Sequence, residues 1–281
     1  TAAEGCDLCF QSGLNLLRKG RVSVASQLMA LLTDTLRETG TLETDEWIDR
    51  LLELHSAHQD AMTKTSEDMS PTEITRLQRL ERDWLLRALQ WSADAGTIKL
   101  GHQRLQKVLG EHCWELANME KGVYEADEVA DLQCDAVQHM VLAEEPAAIL
   151  AWLEILEDPT DEETKMGHSC PPALRDALLT RAILGFGVMQ NLRDGHTLIR
   201  GYIEKCEKRS IDELKKSYTN KEDGKAPSHV LFGSMLLSIL AKDARTGPLF
   251  SWLMRSFKRE LDGMAKNQVV HGWATKIGAL Y

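Results

Sequence analysis

Apolar residues in this chain return at every third or fourth position through almost its whole length, and nowhere do they alternate in a sustained period of two. That spacing lays a stripe along one side of an α-helix, so the chain is committed to an all-α fold. Leu8, Leu14 and Leu17 lead to Gly20, and Val22, Ala25, Leu28, Met29, Leu32 and Leu36 continue to Gly40. The spacing predicts an antiparallel helical pair around a glycine turn. Thr44, with Asp45 and Glu46 after it, reads as an N-cap with acidic residues in the first turn, opening a helix through Trp47, Ile48, Leu51 and Leu52. Residues 57–68 are polar and read as a loop or a frayed helix end. Ser70-Pro71-Thr72-Glu73 is a capping box with proline at the first helical position, and Ile74, Leu77, Leu80, Trp84, Leu85, Ala88 and Trp91 form one stripe behind it. Trp84 and Trp91, seven apart on that stripe, belong to a core. Further helices are expected over 100–118, 124–142, 146–156, 171–190, 196–208, 230–241, 248–261 and 269–281. The polar, turn-rich stretch 209–227, with Asn220 and Asp223-Gly224, is the one place where a small β-hairpin is expected.

A helical pair cannot cover its own apolar stripe, so successive pairs must stack. Gly20, Gly122 and Gly195 each stand between two amphipathic segments, and Gly122-Val123-Tyr124-Glu125-Ala126 resembles the entry of a tetratricopeptide second helix. These glycines keep no regular period of 34 residues. The expected architecture is therefore a single irregular, TPR-like α-solenoid, an α-α superhelix over 1–281, whose long faces bind proteins.

Charge excludes some partners. The 281 residues hold 33 Lys and Arg against 43 Asp and Glu, a net charge of −10, which argues against nucleic acid as the main partner. The acidic excess lies in 1–170, whereas 171–281 is net basic. The longest run without an ionised side chain, 226–241, is shorter than the roughly 20 residues needed to span a bilayer, so no direct membrane insertion is expected. No basic segment leading into an apolar one opens the chain, and the six cysteines are scattered, so a reducing, cytosolic setting is expected. Cys6 and Cys9 have CxxC spacing without a second pair or a preceding strand, and read as packed thiols on one helical turn.

Patterns that carry chemistry are incomplete. His55 and His58 form an HxxH pair without the glutamate of a zinc-protease helix, and read as solvated. His102, His112 and Cys113 do not converge on one helical face. No phosphate loop or nucleophile elbow occurs, and Gly185-Phe186-Gly187 sits inside a helical pattern, where glycines serve close packing. The carboxylates Glu154, Glu157, Asp158, Asp161, Glu162 and Glu163 lack the glycine and alternation of a calcium loop. No enzyme, metal or cofactor is expected.

One block is specific. Arg87-Ala88-Leu89-Gln90-Trp91-Ser92, then Lys99-Leu100-Gly101-His102, Arg104-Leu105 and Trp114, resembles in order and spacing the R-A-L-x-W-S and G-H-x-x-L stretches of the factor-four family of the guided entry of tail-anchored proteins pathway, the 35-kDa subunit of the transmembrane-domain recognition complex. Weaker similarity runs over residues 12–36, 172–202 and 277–281. The resemblance implies a cytosolic, non-enzymatic adaptor in post-translational targeting of tail-anchored membrane proteins to the endoplasmic reticulum. On that basis residues 1–143 face the targeting ATPase and 144–281 hold a ubiquitin-like partner, with a TPR co-chaperone joined indirectly. The implied ubiquitin-like contact is Val230, Leu231, Phe232, Leu236, Leu237 and Leu240, after the hairpin; the implied ATPase contact is Arg18, Arg21 and Gln27. Gln27 stands where the family pattern has an acidic residue. A structural subunit of a larger helical-repeat assembly, like those of the proteasome lid or signalosome, is the alternative, although such chains end in a strand-bearing winged helix. A helical prenyl-transferring enzyme would need a DDxxD motif that is absent.

Overall fold

The computed structural model describes residues 2–119, 124–156, 174–207, 210–220, 228–242, 246–264 and 266–280. Among them every regular element is helical and none is a strand, as the apolar spacing requires. The chain divides into two compact units, Thr1–Leu132 and Gln133–Tyr281.

The first unit begins with α1 (Ala2–Arg18) and α2 (Val22–Glu38), which pack antiparallel. Their turn is closed by Gly20 at φ +67°, with Gly20 N–H donating to Leu17 O and Arg21 N–H to Leu16 O, both at 2.9 Å. That doubled bond satisfies the last carbonyls of α1, and glycine meets the left-handed backbone without strain. Thr44 caps α3 (Asp45–Thr65), its hydroxyl accepting from Trp47 N–H at 3.3 Å. The loop expected from residue 57 does not form. Leu54, His58, Ala61 and Met62 are buried at helical spacing, so α3 runs on to Thr65 and a short 3-10 turn, Ser66–Asp68.

Ser70 caps α4 (Pro71–Ala95) by accepting from Glu73 N–H at 3.2 Å. The return bond of a capping box is missing, because the Glu73 carboxylate pairs with Arg76 at 2.7 Å. Trp84 and Trp91 are both fully buried. α5 (Gln103–Ala117) packs on α4, and α6 (Ala126–Leu142) carries the chain across the division between units. Of the glycine turns expected from sequence, that at Gly122 lies outside the described residues.

In the second unit, α7 (Pro146–Ile155) is followed by α8 (Leu174–Val188), which is buried on every side from Leu178 to Gly187, the pattern of a central helix. A Cβ on Gly185 would stand 2.8 Å from Val141 Cγ1, and one on Gly187 3.0 Å from Leu240 Cδ1, so both glycines permit close helix packing. The third turn lies earlier than Gly195. Gln190 takes the left-handed conformation at φ 57°, and Asn191 caps α9 (Leu192–Tyr202) by accepting from Asp194 N–H at 3.3 Å. Gln190 and Asn191 make this turn without a glycine, and Gly195 sits inside α9 against Leu237. A π-helical turn, Ile203–Glu207, extends it.

The hairpin expected over 209–227 is corrected where it is described. Residues Ile211–Asn220 form α10, opened by a reciprocal cap in which Ser210 N–H donates to Glu213 Oε2 at 2.7 Å and Glu213 N–H to Ser210 Oγ at 3.3 Å. Ser-Ile-Asp-Glu is the start signal of a helix, and it outweighs the surrounding turn residues; 208–209 and 221–227 lie outside the described residues. α11 (Ser228–Leu240), α12 (Gly247–Ser256), α13 (Lys258–Asp262) and α14 (Asn267–Leu280) complete the unit, with α11 and α14 both against α8.

Candidate functional site

The apolar helix α11 was expected to offer a partner its side chains Val230, Leu231, Phe232, Leu236, Leu237 and Leu240. All six are buried within the second unit. Small residues explain this: a Cβ on Gly233 would lie 2.9 Å from Ile199 Cδ1, and one on Gly195 2.9 Å from Leu237 Cδ2, so α8 and α9 close onto α11. Phe232 packs against Phe257 with ring centroids 5.5 Å apart and planes inclined at 60°. An apolar helix with residues on more than one face is here a covered core helix.

Apolar surface is offered instead by α12. Phe250 and Leu253 point inward, while Leu249 and Trp252, one turn apart, are 48% and 54% exposed. Arg255, Lys258 and Arg259 are exposed in the residues that follow. A large aromatic beside an aliphatic neighbour, edged by guanidinium and ammonium groups, has the composition of a protein-binding hot spot. The sequence carried this signal as the two residues left off the 250, 253, 257 and 261 stripe.

In the first unit Arg18, Arg21 and Gln27 are all exposed around the α1–α2 turn. Arg18 ends α1 and Arg21 stands in the N-cap position of α2 without capping it through its side chain. Val24 and Leu31, seven apart on α2, are also exposed.

Inside the same unit lies a polar cluster that the sequence did not reveal. Glu81 of α4 is fully buried and faces three imidazoles, so the HxxH pair is not solvated. His55 Nδ1 is 2.9 Å from Glu81 Oε1, His58 Nδ1 is 3.1 Å from Oε2, and Gln59 Nε2 donates to Oε2 at 2.9 Å. His112 of α5 adds Nδ1 at 3.8 Å from Oε2. Burial pushes the Glu81 carboxyl up, but the bonds from His55 and His58 more than offset it and hold the group well below the usual carboxylate range. Burial pushes His112 down. Among the described residues no group of three or more His, Cys, Asp and Glu could hold a metal ion. Of the acidic run at 154–163, Glu154 pairs with Lys205 at 2.6 Å and the others lie outside the described residues. Cys6 is buried and Cys9 half-buried on α1, neither in a disulfide.

The specific block builds the α4–α5 corner. Trp91 Nε1 donates to Thr41 O at 2.9 Å, Ser92 Oγ accepts from His102 N–H at 3.0 Å, and His102 Nδ1 accepts from Arg104 N–H at 3.2 Å to cap α5. Gly101 has φ +83°, and a Cβ there would fall 3.0 Å from Leu89 O. Arg87 pairs with Asp34 of α2. These roles are structural.

Among the described residues no helix is long and apolar enough to cross a membrane. The family model of GET4, Golgi to ER traffic protein 4, matches residues 2–281. Protein GET4 of Arabidopsis thaliana is 24% identical over 274 residues, covering 92% of this chain and 74% of that protein. The crystal structure of C. therm. Get4 superposes with a TM-score of 0.59 at 18% identity, over 100% of this chain and 76% of that one, a likeness of fold. The chain belongs to the GET4 family, which serves the targeting of tail-anchored proteins.

Proposed function

We propose that this chain is a cytosolic adaptor that holds a ubiquitin-like protein on its second unit and the targeting ATPase on its first. A tail-anchored client delivered by a TPR co-chaperone then reaches the ATPase without diffusing free. The observation that carries this reading is the family match over residues 2–281, which spans both units. The exposed features agree with it. Leu249 and Trp252 with the basic residues behind them suit an acidic, apolar segment of the ubiquitin-like partner, and α11 supports that surface from beneath. Arg18, Arg21 and Gln27 are exposed, and the two arginines would suit an acidic partner surface on the ATPase. Work of this kind needs no chemistry from the chain, only affinity and geometry, and two sites on one scaffold raise the effective concentration of each partner for the other.

Reconstitution from purified components tests the reading. Charge reversal at Arg18 and Arg21 should remove the ATPase and leave the ubiquitin-like partner bound, and Trp252→Asp should do the opposite. Loss of both partners by either change would mean that the sites are not separate. The alternative, a subunit of a lid-like or signalosome-like assembly, is disfavoured by the family match over residues 2–281.

A further inference from the structure

The ion pairs of the first unit leave one group of cations over. Arg37, Arg79, Arg87 and Arg104 each reach a carboxylate on another helix, at Asp94, Glu128, Asp34 and Asp49 respectively. Arg18, Lys19 and Arg21, at the turn between α1 and α2, are exposed, and among the described residues none of them meets a carboxylate. The chain holds 43 acidic side chains against 33 basic ones, so cations left unmatched at neighbouring positions mark a place where an anion arrives from outside the unit.

Ser23 stands beside them. It is the second residue of α2, half-buried, and its Oγ accepts from Arg76 Nη2 at 2.9 Å. Arg76 is itself fixed on α4 by the Glu73 carboxylate, at 2.9 and 2.7 Å. A phosphoryl group on this oxygen would form next to a guanidinium that already donates to it, and would gain charge-assisted bonds there. Arg21, in the N-cap position, makes no side-chain bond to the first turn of α2, so opening that turn to an enzyme gives up no side-chain cap. The approach, Arg18-Lys19-Gly20-Arg21-Val22-Ser23, puts basic residues two, four and five positions ahead of the hydroxyl. A kinase with an acidic peptide groove selects its serine by such a charge pattern. Ser26, three residues on, offers no comparable target, because its hydroxyl is buried against Val22 O and His58.

We infer that Ser23 is a phosphorylation site for a serine kinase that reads the basic residues before it, and that the phosphate, held by Arg76, turns off docking of the ATPase at the α1–α2 turn. The Ser23 oxygen attacks the γ-phosphorus of ATP; a new O–P bond forms, the bond from that phosphorus to the bridging oxygen breaks, ADP leaves, and the hydroxyl proton passes to the base of the kinase. The product places a charge of about −1.5 to −2 at pH 7 beside Arg18, Lys19 and Arg21, offsetting much of their positive charge. An acidic partner surface then meets a phosphate where it had met free arginines. This regulation rests on the ATPase docking at this turn, as proposed above.

Two preparations of the full chain test this: one treated with protein kinase C and ATP, and one carrying phosphoserine installed at position 23 during synthesis. Peptide mass spectrometry should find the kinase product at Ser23, formed more slowly when Arg18 and Arg21 are replaced by alanine. In calorimetric titration the phosphoserine chain should bind the ATPase about tenfold or more weakly than the unmodified chain, with binding of the ubiquitin-like partner unchanged. Phosphorus-31 spectra report the hold on the phosphate. Its second proton should leave below the ordinary value of about 6, because the Arg76 guanidinium favours the dianion, and Arg76→Gln should restore that value. A folded chain that the kinase does not modify at Ser23, a phosphate that titrates ordinarily, or equal ATPase affinity with and without the phosphate would each overturn the inference. An unmodified chain that fails to bind the ATPase at all would instead overturn the docking reading, and the regulation with it.

Discussion

The indole nitrogen of Trp91, on a fully buried side chain, donates to the carbonyl oxygen of Thr41 at 2.9 Å, tying the end of α4 to the turn between α2 and α3. Fifty residues of separation are closed by this bond together with one of the largest apolar surfaces in the unit. Trp91→Phe keeps most of the ring and strands the carbonyl, which should cost about 1–2 kcal/mol. Trp91→Ala adds a cavity and should cost about 3–5 kcal/mol. Urea unfolding of the two variants checks the order; equal losses would mean that the buried ring contributes nothing beyond its hydrogen bond, and a Trp91→Phe chain as stable as the wild type would mean that the hydrogen bond contributes nothing.

Gly101 completes the same corner. Its φ of +83° is left-handed, and a Cβ would fall 2.5 Å from Leu89 Cδ1 and 3.0 Å from Leu89 O. Gly101→Ala should therefore destabilise the chain by about 1–3 kcal/mol. Gly272 occupies an ordinary helical position in α14, where an added Cβ would meet nothing within 4 Å, and it is the control: Gly272→Ala should be neutral or stabilising. Thermal unfolding of both checks the contrast.

The Glu81 carboxyl is held below its ordinary value, so its contribution is present above the range where an unfolded carboxylate titrates, about pH 4–5, and is lost as pH falls toward the folded value. Between about pH 6 and pH 3 the wild-type chain should lose more stability than Glu81→Gln, which has no such group to protonate. Glu81→Ala, which removes the acceptor of the His55 and Gln59 hydrogen bonds from a buried site, should cost about 1–3 kcal/mol at neutral pH. Chemical denaturation across this pH series decides it, and parallel curves would contradict the assignment.

Helices were legible because one physical signal, the 3.6-residue apolar period, repeats along α1, α2 and α4 and is punctuated by Thr44, Ser70 and Gly20, each of which acts as read. The exceptions share a cause. His58 and Glu81 look polar in sequence but are buried together across α3 and α4, where Glu81 bonds His55 and Gln59 and His58 Nε2 meets Ser26 Oγ, contacts between distant positions that no local pattern can announce. The same blindness hid the continuation of α3. At 210–220 the Ser210 and Glu213 cap was a local signal, overshadowed by nearby Asn, Asp and Gly. For the partner surface, periodicity separated apolar from polar but not inner from outer: α11, apolar throughout, proved to be covered by α8 and α9, and Trp252 is exposed on a helix whose stripe lies elsewhere.

That distinction separates two substitutions. Phe232→Asp places a charge inside the second unit beside Phe257 and should unfold it. Trp252→Asp changes an exposed residue, should leave stability within about 0.5 kcal/mol, and should weaken binding of the ubiquitin-like partner by about thirtyfold or more. Calorimetric titration alongside thermal melts checks both. Normal binding by a folded Trp252→Asp chain would move the docking surface away from α12.

Light scattering from a stoichiometric mixture of this chain, the ubiquitin-like protein and the targeting ATPase measures the bridging role most directly. The expected result is one species whose mass contains all three components, with the ATPase and the ubiquitin-like protein failing to associate when the chain is omitted. Two binary complexes that exclude each other, or three separate masses, would contradict it.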